Sequence, residues 1–225
     1  MGNDPFLDAQ GARGECFRLL AACFYPPQPA LWKQEALLEN LTELLTRTCP
    51  GAAEHARRMQ ESLVRGNAEE LAVEHARLFV GPQRVIAPPY GSVYVEEGRR
   101  VMGESTLDAL RIYEKAGLRL DADFKELPDH VAVELEFAYY VTSRGVRAAE
   151  AGDAEEARIY ESARETFLDR HLRRWVAPFC ARIAEGTESD FYRSLARCLA
   201  AFIVHNAAER DEGSRGPSET DAVDS

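Results

Sequence analysis

Apolar residues recur at helical spacing along nearly the whole chain. Phe17, Leu20, Ala21 and Phe24 make a first stripe, which Pro26-Pro27 ends. Leu37, Leu38, Leu41, Leu44 and Leu45 make a second, stopped by Pro50-Gly51. The pattern predicts a third helix over about 52–65, closed by Gly66. Asn67 reads as the N-cap of a fourth, with Glu70 at its third helical position like a capping box. That helix carries Leu71, Leu78 and Phe79 and stops at Gly81-Pro82.

From Gly81 to Tyr94 the prolines and glycines break regular structure, yet Val85, Ile86, Tyr90, Val93 and Tyr94 make the stretch more apolar than a solvated loop. Helix resumes at Ser105, where Ser105 and Asp108 form a second cap-like pair, and stops at Gly117. A linker leads to Pro128, and Asp129 reads as the N-cap of a long helix with Val131, Leu135, Ala138 and Thr142 on one side. One or two helices follow over about 153–183, with Pro178 as a possible kink or division, and a last one over about 188–206 carries Phe191, Leu195, Cys198 and Phe202. The reading is all-α, a single-domain helical bundle without repeat or strand. Residues 1–12 are a lead-in, 13–206 the helical domain, and 207–225 a disordered acidic tail with little to bury.

The formal net charge of −11 excludes a phosphate-binding surface of clustered Lys and Arg, so no nucleic-acid partner is expected. No stretch approaches the roughly 20 apolar residues of a membrane helix. The start, MGNDPFLDAQ, lacks the basic and apolar regions of a secretion signal. Cys16, Cys23, Cys49, Cys180 and Cys198 are odd in number and include no C-x-x-C pair. They read as reduced structural residues of a cytoplasmic protein.

Candidate chemistry is sparse. A carboxylate-bridged metal site in a helical bundle needs Glu-x-x-His pairs. None occurs, although His130, Glu134 and Glu136 lie close in sequence. Phosphate-loop, dinucleotide and H-E-x-x-H motifs are absent as well. The expectation is a protein with no metal or other cofactor and no catalytic residues, one that binds another polypeptide. Three features stand out: the helix end Glu74–Pro82, the loop Ala87–Tyr94, and Pro128-Asp129-His130 before Glu134-Leu135-Glu136-Phe137. Taken singly, each reads as a cap, a packed loop or a core stripe.

As an ordered set they resemble a family. Leu78-Phe79-x-Gly81-Pro82, Pro88-Pro89-Tyr90-Gly91-Ser92-Val93-Tyr94, Gly103-x-Ser105-Thr106 and Pro128-Asp129-His130 with Glu134-Leu135-Glu136-Phe137 resemble the TorD/DmsD/NarJ chaperones. Phe167-Leu168-x-x-His171-Leu172-x-x-Trp175 and Phe191-Tyr192-x-x-Leu195-Ala196 extend the resemblance. It implies an all-helical cytoplasmic chaperone, monomeric or a helix-swapped dimer. Its implied partner is the catalytic subunit of a molybdopterin oxidoreductase, bound through its twin-arginine leader while cofactor is inserted. Carried over by position, the leader surface falls on Leu78, Phe79, Gly81, Pro82, Pro89, Tyr90, Tyr94, Gly103, Asp129 and His130. Two departures, His75 in place of an aromatic residue and Gln83 in place of Trp, make the implied groove more polar. The alternatives are a general helical assembly adaptor without leader recognition and a nucleotide hydrolase, the latter disfavoured by the missing phosphate loop.

Overall fold

The computed structural model describes residues 4–81, 85–98, 101–119, 121 and 125–214, the last seven of these by backbone alone. Helix begins earlier than the stripe pattern indicates. Asp4 accepts the Phe6 N–H at 2.9 Å and Pro5 presets the first turn, so α1 spans Pro5–Ala22, inside the stretch read as a lead-in. Then come α2 (Pro29–Gln34), α3 (Leu37–Thr48) and α4 (Pro50–Arg65). The α5 helix (Ala68–His75) is capped as expected, Asn67 Oδ1 accepting the Glu70 N–H at 2.7 Å. It runs on into a wider π turn over Ala76–Val80.

After the loop come α6 (Ser92–Val95), α7 (Glu104–Lys115), α8 (Val131–Glu150), α9 (Ala154–Arg170), α10 (Leu172–Gly186) and α11 (Asp190–Ser214). The non-helical backbone of His171 (φ −122°, ψ −96°) separates α9 from α10, whereas Pro178 lies inside α10 without ending it. Of the tail expected from 207, residues 207–214 continue α11 and 215–225 lie outside the described residues.

Two caps differ from the sequence reading. The first residue of α7 is Glu104, and the acceptor for the Ser105 N–H is not a side chain of its own segment but Glu96 Oε1, at 2.8 Å. The N-cap of α8 is His130, whose Nδ1 accepts the Ala132 N–H at 3.1 Å. Asp129 is instead turned toward α6, where its Oδ2 accepts the Ser92 N–H at 2.8 Å.

The long helices close into a ring: α1 packs on α8, α8 on α9, α9 on α10, α10 on α11, α11 on α4, α4 on α3, and α3 back on α1. Each exposes an outer face and sends its apolar stripe inward. Phe17 of α1 meets Phe202 of α11 edge to face across the interior at 4.9 Å, and Phe24 lies 5.7 Å from Phe179. The close α1–α8 contact depends on Gly14, where a Cβ would stand 3.2 Å from Thr142 Cγ2. All five cysteines are free and buried, and burial pushes the Cys16, Cys23 and Cys180 thiols up to about 12. They are unreactive packing residues. Among the described residues no helix is long and apolar enough to cross a membrane.

Phe17 and Phe202 are both fully buried and join helices on opposite sides of the ring. Phe202→Ala is therefore expected to cost about 3–5 kcal/mol, the range for emptying an aromatic core position. Urea unfolding followed by circular dichroism checks this, and a loss below about 1 kcal/mol is incompatible with such packing.

Candidate functional site

The motif segments that lie apart in sequence meet in one place. Pro88 and Pro89 carry no N–H, so the loop can neither continue the helix nor bond itself at these positions. It is fastened to the start of α8 instead: the Pro89 carbonyl accepts the Val131 N–H at 2.8 Å, and the Gly91 N–H donates to the Asp129 carbonyl at 2.9 Å. Tyr90 and His130 thus face each other in an isolated antiparallel bridge. At the loop's other end the Ala87 N–H donates to the Leu78 carbonyl at 2.9 Å, tying it to the π turn. Gly81 closes that turn at φ 55°, a conformation that favours glycine.

Behind the bridge the side chains are buried and mostly paired. Asp129 is 1% exposed, with Oδ2 on the α6 N-terminus, where backbone N–H groups favour a carboxylate, while Oδ1 has no partner among the described residues. The His130 ring is stacked on Tyr25 at 6.0 Å and edge-on to Tyr90 at 5.4 Å. Its Nε2 lies 4.0 Å from Glu126 Oε2, which also accepts the Tyr90 hydroxyl at 2.7 Å. The Tyr113 hydroxyl donates to the Pro128 carbonyl at 2.8 Å.

A second group, buried at Glu134, His171 and Trp175 and open to solvent at Arg170, underlies the loop. Trp175 Nε1 donates to Glu134 Oε2 at 3.0 Å, His171 Nδ1 lies 3.6 Å from Glu134 Oε1, and His171 Nε2 lies 3.1 Å from Asp108 Oδ2. Arg170 forks onto both oxygens of Asp108 at 2.7 and 2.8 Å. Burial pushes the Glu134 carboxyl up, an effect the His171 and Trp175 contacts oppose. Gly91 passes so close over the indole that a Cβ would sit 2.9 Å from Trp175 Nε1. Tyr94 stacks on Trp175 at 5.6 Å, and the Arg182 guanidinium lies 4.8 Å from the Tyr94 ring centre.

This frame carries a solvent-open groove of about 610 Å3 lined by Phe79, Val85, Ile86, Pro88, Tyr90, Val93, Val101, Arg182, Glu185 and Gly186. Next to the lining in sequence, Val80 and Met102 are 63% and 65% exposed. Of the residues carried over to the leader surface, Phe79 and Tyr90 line the groove and Tyr94 is half-buried beside Arg182. Leu78, Pro89, Asp129 and His130 lie inside. Asp129 and His130 each serve a helix N-terminus behind the loop and do not line the groove. Gly103 serves packing, since a Cβ there would strike the Glu96 side chain that caps α7. Pro82 and Gln83 lie outside the described residues.

His75 does not make the groove more polar. It is buried against Phe79 at 5.1 Å, its Nε2–H donating to the Phe24 carbonyl at 3.3 Å. Sequence reasoning missed the α10 wall of Arg182, Glu185 and Gly186, which carries no local signal. Val85, Ile86 and Val93 did signal themselves, as apolar residues in a proline-rich loop. Among the described residues no group of three or more His, Cys, Asp or Glu side chains is placed to hold a metal ion.

Burial pushes His130 down to about 4. The folded state therefore prefers the neutral ring, whose Nδ1 lone pair is the α8 cap; protonation of Nδ1 removes the acceptor. The stabilisation is complete above the ordinary value near 6.5 and is lost as pH falls toward 4, roughly 3 kcal/mol in all. Glu134, held high by burial, has the opposite sign and loses stability as pH rises through its folded value. His130→Asn keeps an N-cap acceptor without a titrating ring. Urea midpoints between pH 6.5 and 4 should fall less steeply for His130→Asn than for the parent, and parallel slopes would contradict the assignment.

The family model for the nitrate reductase delta subunit matches residues 45–181, from α3 through the loop, its bridge to α8 and most of α10. The chain is similar to the chaperone protein TorD of Vibrio parahaemolyticus, 29% identical over 139 residues, which is 62% of this chain and 63% of the relative. It is also similar to the chaperone protein TorD of Ferrimonas balearica, 32% identical over 134 residues, 60% of this chain and 56% of the relative. It thus spans less than two thirds of the length of these curated relatives. A crystal structure described as a candidate redox enzyme maturation protein from Archaeoglobus fulgidus superposes with a TM-score of 0.53 at 26% identity, over 85% of this chain and 93% of that one. The matched segment contains the π turn, the loop, its bridge to α8 and Trp175, but neither Tyr25 nor the Arg182–Gly186 wall, and the all-helical fold extends beyond it. The chain belongs to the nitrate reductase delta subunit family, the TorD/NarJ group of maturation proteins.

Proposed function

We propose that the protein is a cytoplasmic, system-specific chaperone for the catalytic subunit of a molybdopterin oxidoreductase. It binds that subunit's leader, of twin-arginine type, and the apo-subunit until cofactor is inserted. Its relatives are named as chaperones and as a redox enzyme maturation protein, which supports the class of activity. The observation that carries the reading is the groove: an open apolar surface built on the motif frame, with no group in it arranged for catalysis among the described residues. The role is binding and release, without a chemical step.

In this reading the buried motif residues Leu78, Pro89, Asp129 and His130 fix the loop, while Phe79, Tyr90 and the apolar wall offer the contact. Leader peptides present an extended or helical apolar segment, which such a groove accommodates by burying alternate or stacked side chains. Val101 is half exposed on the groove wall and outside the core, so a charge there spoils the groove without emptying the interior.

The test is fluorescence anisotropy with labelled synthetic leaders of molybdopterin oxidoreductases, alongside the mature subunits in apo form. The parent should bind its cognate leader, and Val101→Asp should weaken it at least tenfold at unchanged melting temperature, since burying an unpaired carboxylate costs more than about 1.4 kcal/mol. Binding of the mature subunit but of no leader would instead establish an assembly adaptor. Equal affinity in Val101→Asp would remove the groove from the interaction.

A further inference from the structure

The groove does not stand alone. A second depression, of about 530 Å3, opens beside it and is walled by Arg65, Glu70 and Glu74 on one side and by Glu188 and Asp190 on the other. The two are divided by a narrow saddle. Arg77 forks onto Glu74 with two bonds of 2.7 Å and donates to the Gly186 carbonyl at 2.6 Å, while Glu74 accepts the Thr187 hydroxyl. Arg193 also donates to the Thr187 carbonyl at 2.6 Å. The saddle joins the end of α10 to α5 and its π turn, and Ile86 rests directly on Gly186 at the groove side.

The charges in the second depression do not cancel. Glu74 is matched by Arg77, Asp190 by Arg193 at 2.8 Å, and Arg65 by Glu61 at 3.5 Å. Glu70 has no cationic partner among the described residues, and Glu188 shares Arg77, whose guanidinium is already forked onto Glu74. One depression is thus lined mainly by apolar side chains, and in the other the carboxylates outnumber the cations that match them. Gly186 lines the first and Glu188 the second, with only Thr187 between them. Their Cα atoms are at most about 7.6 Å apart, a span that two or three residues of an extended peptide cross. A segment with neighbouring basic and apolar parts is complementary to the pair in charge and in hydrophobicity.

Resting on the leader reading, the geometry points to a fixed direction of binding. The basic end of the peptide lies in the Glu70–Glu188 depression between α5 and the start of α11. The apolar stretch crosses the Thr187 saddle and lies along Phe79, Ile86 and Val101. The carboxylates attract the guanidinium groups across the last few ångströms and set register, and the groove supplies the buried area. Because Arg77 and Arg193 already hold the saddle carbonyls, both ends of the site keep their spacing before the peptide arrives.

The experiment uses the full chain and a labelled cognate leader, together with the same peptide with its arginines replaced by glutamine. Glu70 is exposed on α5 and Glu188 is exposed before α11, so the double variant Glu70→Lys/Glu188→Lys should fold as the parent does. It should bind the arginine peptide at least tenfold more weakly and the glutamine peptide equally well, and the salt dependence of arginine-peptide binding should diminish. A photo-crosslinker at the arginine end should label residues around Glu70 and Glu188, and one in the apolar stretch residues around Ile86 and Val101. Unchanged arginine-peptide affinity in the double variant, or crosslinks in the reverse order, overturns the direction while Val101→Asp still weakens binding at least tenfold. Failure of the parent to bind any leader overturns the leader reading itself, and the direction with it.

Discussion

Two backbone hydrogen bonds between a proline-rich loop and the residues opening α8 determine where almost every other part of the site can lie. A segment with consecutive prolines lacks donors and cannot form helix, so it must find partners outside itself or stay in water. Here it finds them at Asp129 and Val131, and the pairing brings the Asp129 carboxylate onto the first turn of α6 and turns His130 into the cap of α8. Two helix N-termini and one loop are thus satisfied by two adjacent residues. Loss of either partner leaves buried N–H groups unmet, which costs on the order of 1–3 kcal/mol each.

Beneath the bridge, the His171–Glu134–Trp175 part of the chain that Asp108 and Arg170 continue to the surface is a costly way to fill a helical interior. Burying Glu134 raises its pKa, so the group is not there because it is cheap. Its geometric effect is clearer: Glu134 fixes the indole by its N–H, the indole supports the backbone at Gly91, and Tyr94 stacks on it beside Arg182. An apolar residue in place of Glu134 could fill the volume but could not hold the ring by its edge. Orientation of the loop is what the buried polar atoms give.

How much of this could be read from the sequence follows from range. The all-helical fold was legible because stripes such as Leu37–Leu45 repeat at helical spacing and need only local residues. The Asn67 cap was legible for the same reason: its acceptor and its donor lie three residues apart. Asp129 and Ser105 misled because both are good caps by composition, while the acceptors actually used are His130 for α8 and Glu96, nine residues upstream, for α7. The groove was half legible. Its loop wall announced itself by apolar residues among prolines, but Arg182, Glu185 and Gly186 come from α10, about a hundred residues away, and no local pattern marks them. His75 was noticed as polar, yet its burial against Phe24 and Phe79 depends on contacts only the fold supplies.

The division between a buried frame and an exposed wall bears on how such a protein can be both stable and selective. The frame residues are constrained by burial, hydrogen bonds and close approach, so substitutions there disturb the loop before they alter any contact with a partner. The groove wall is mixed: Phe79 and Val93 are buried, whereas Val101 and Glu185 are exposed. Val101 and Glu185 can change size and charge with little effect on the ring of helices because both are exposed, whereas Ile86 packs on Gly186 and against the core. A shallow, open groove also encloses a partner incompletely, and buried area alone does not set affinity. Affinity in the proposed chaperone role is then limited by the character of the surface rather than by its extent. On the proposed function, selectivity then rests with the exposed part of the wall and its charged margin, and stability with the buried frame.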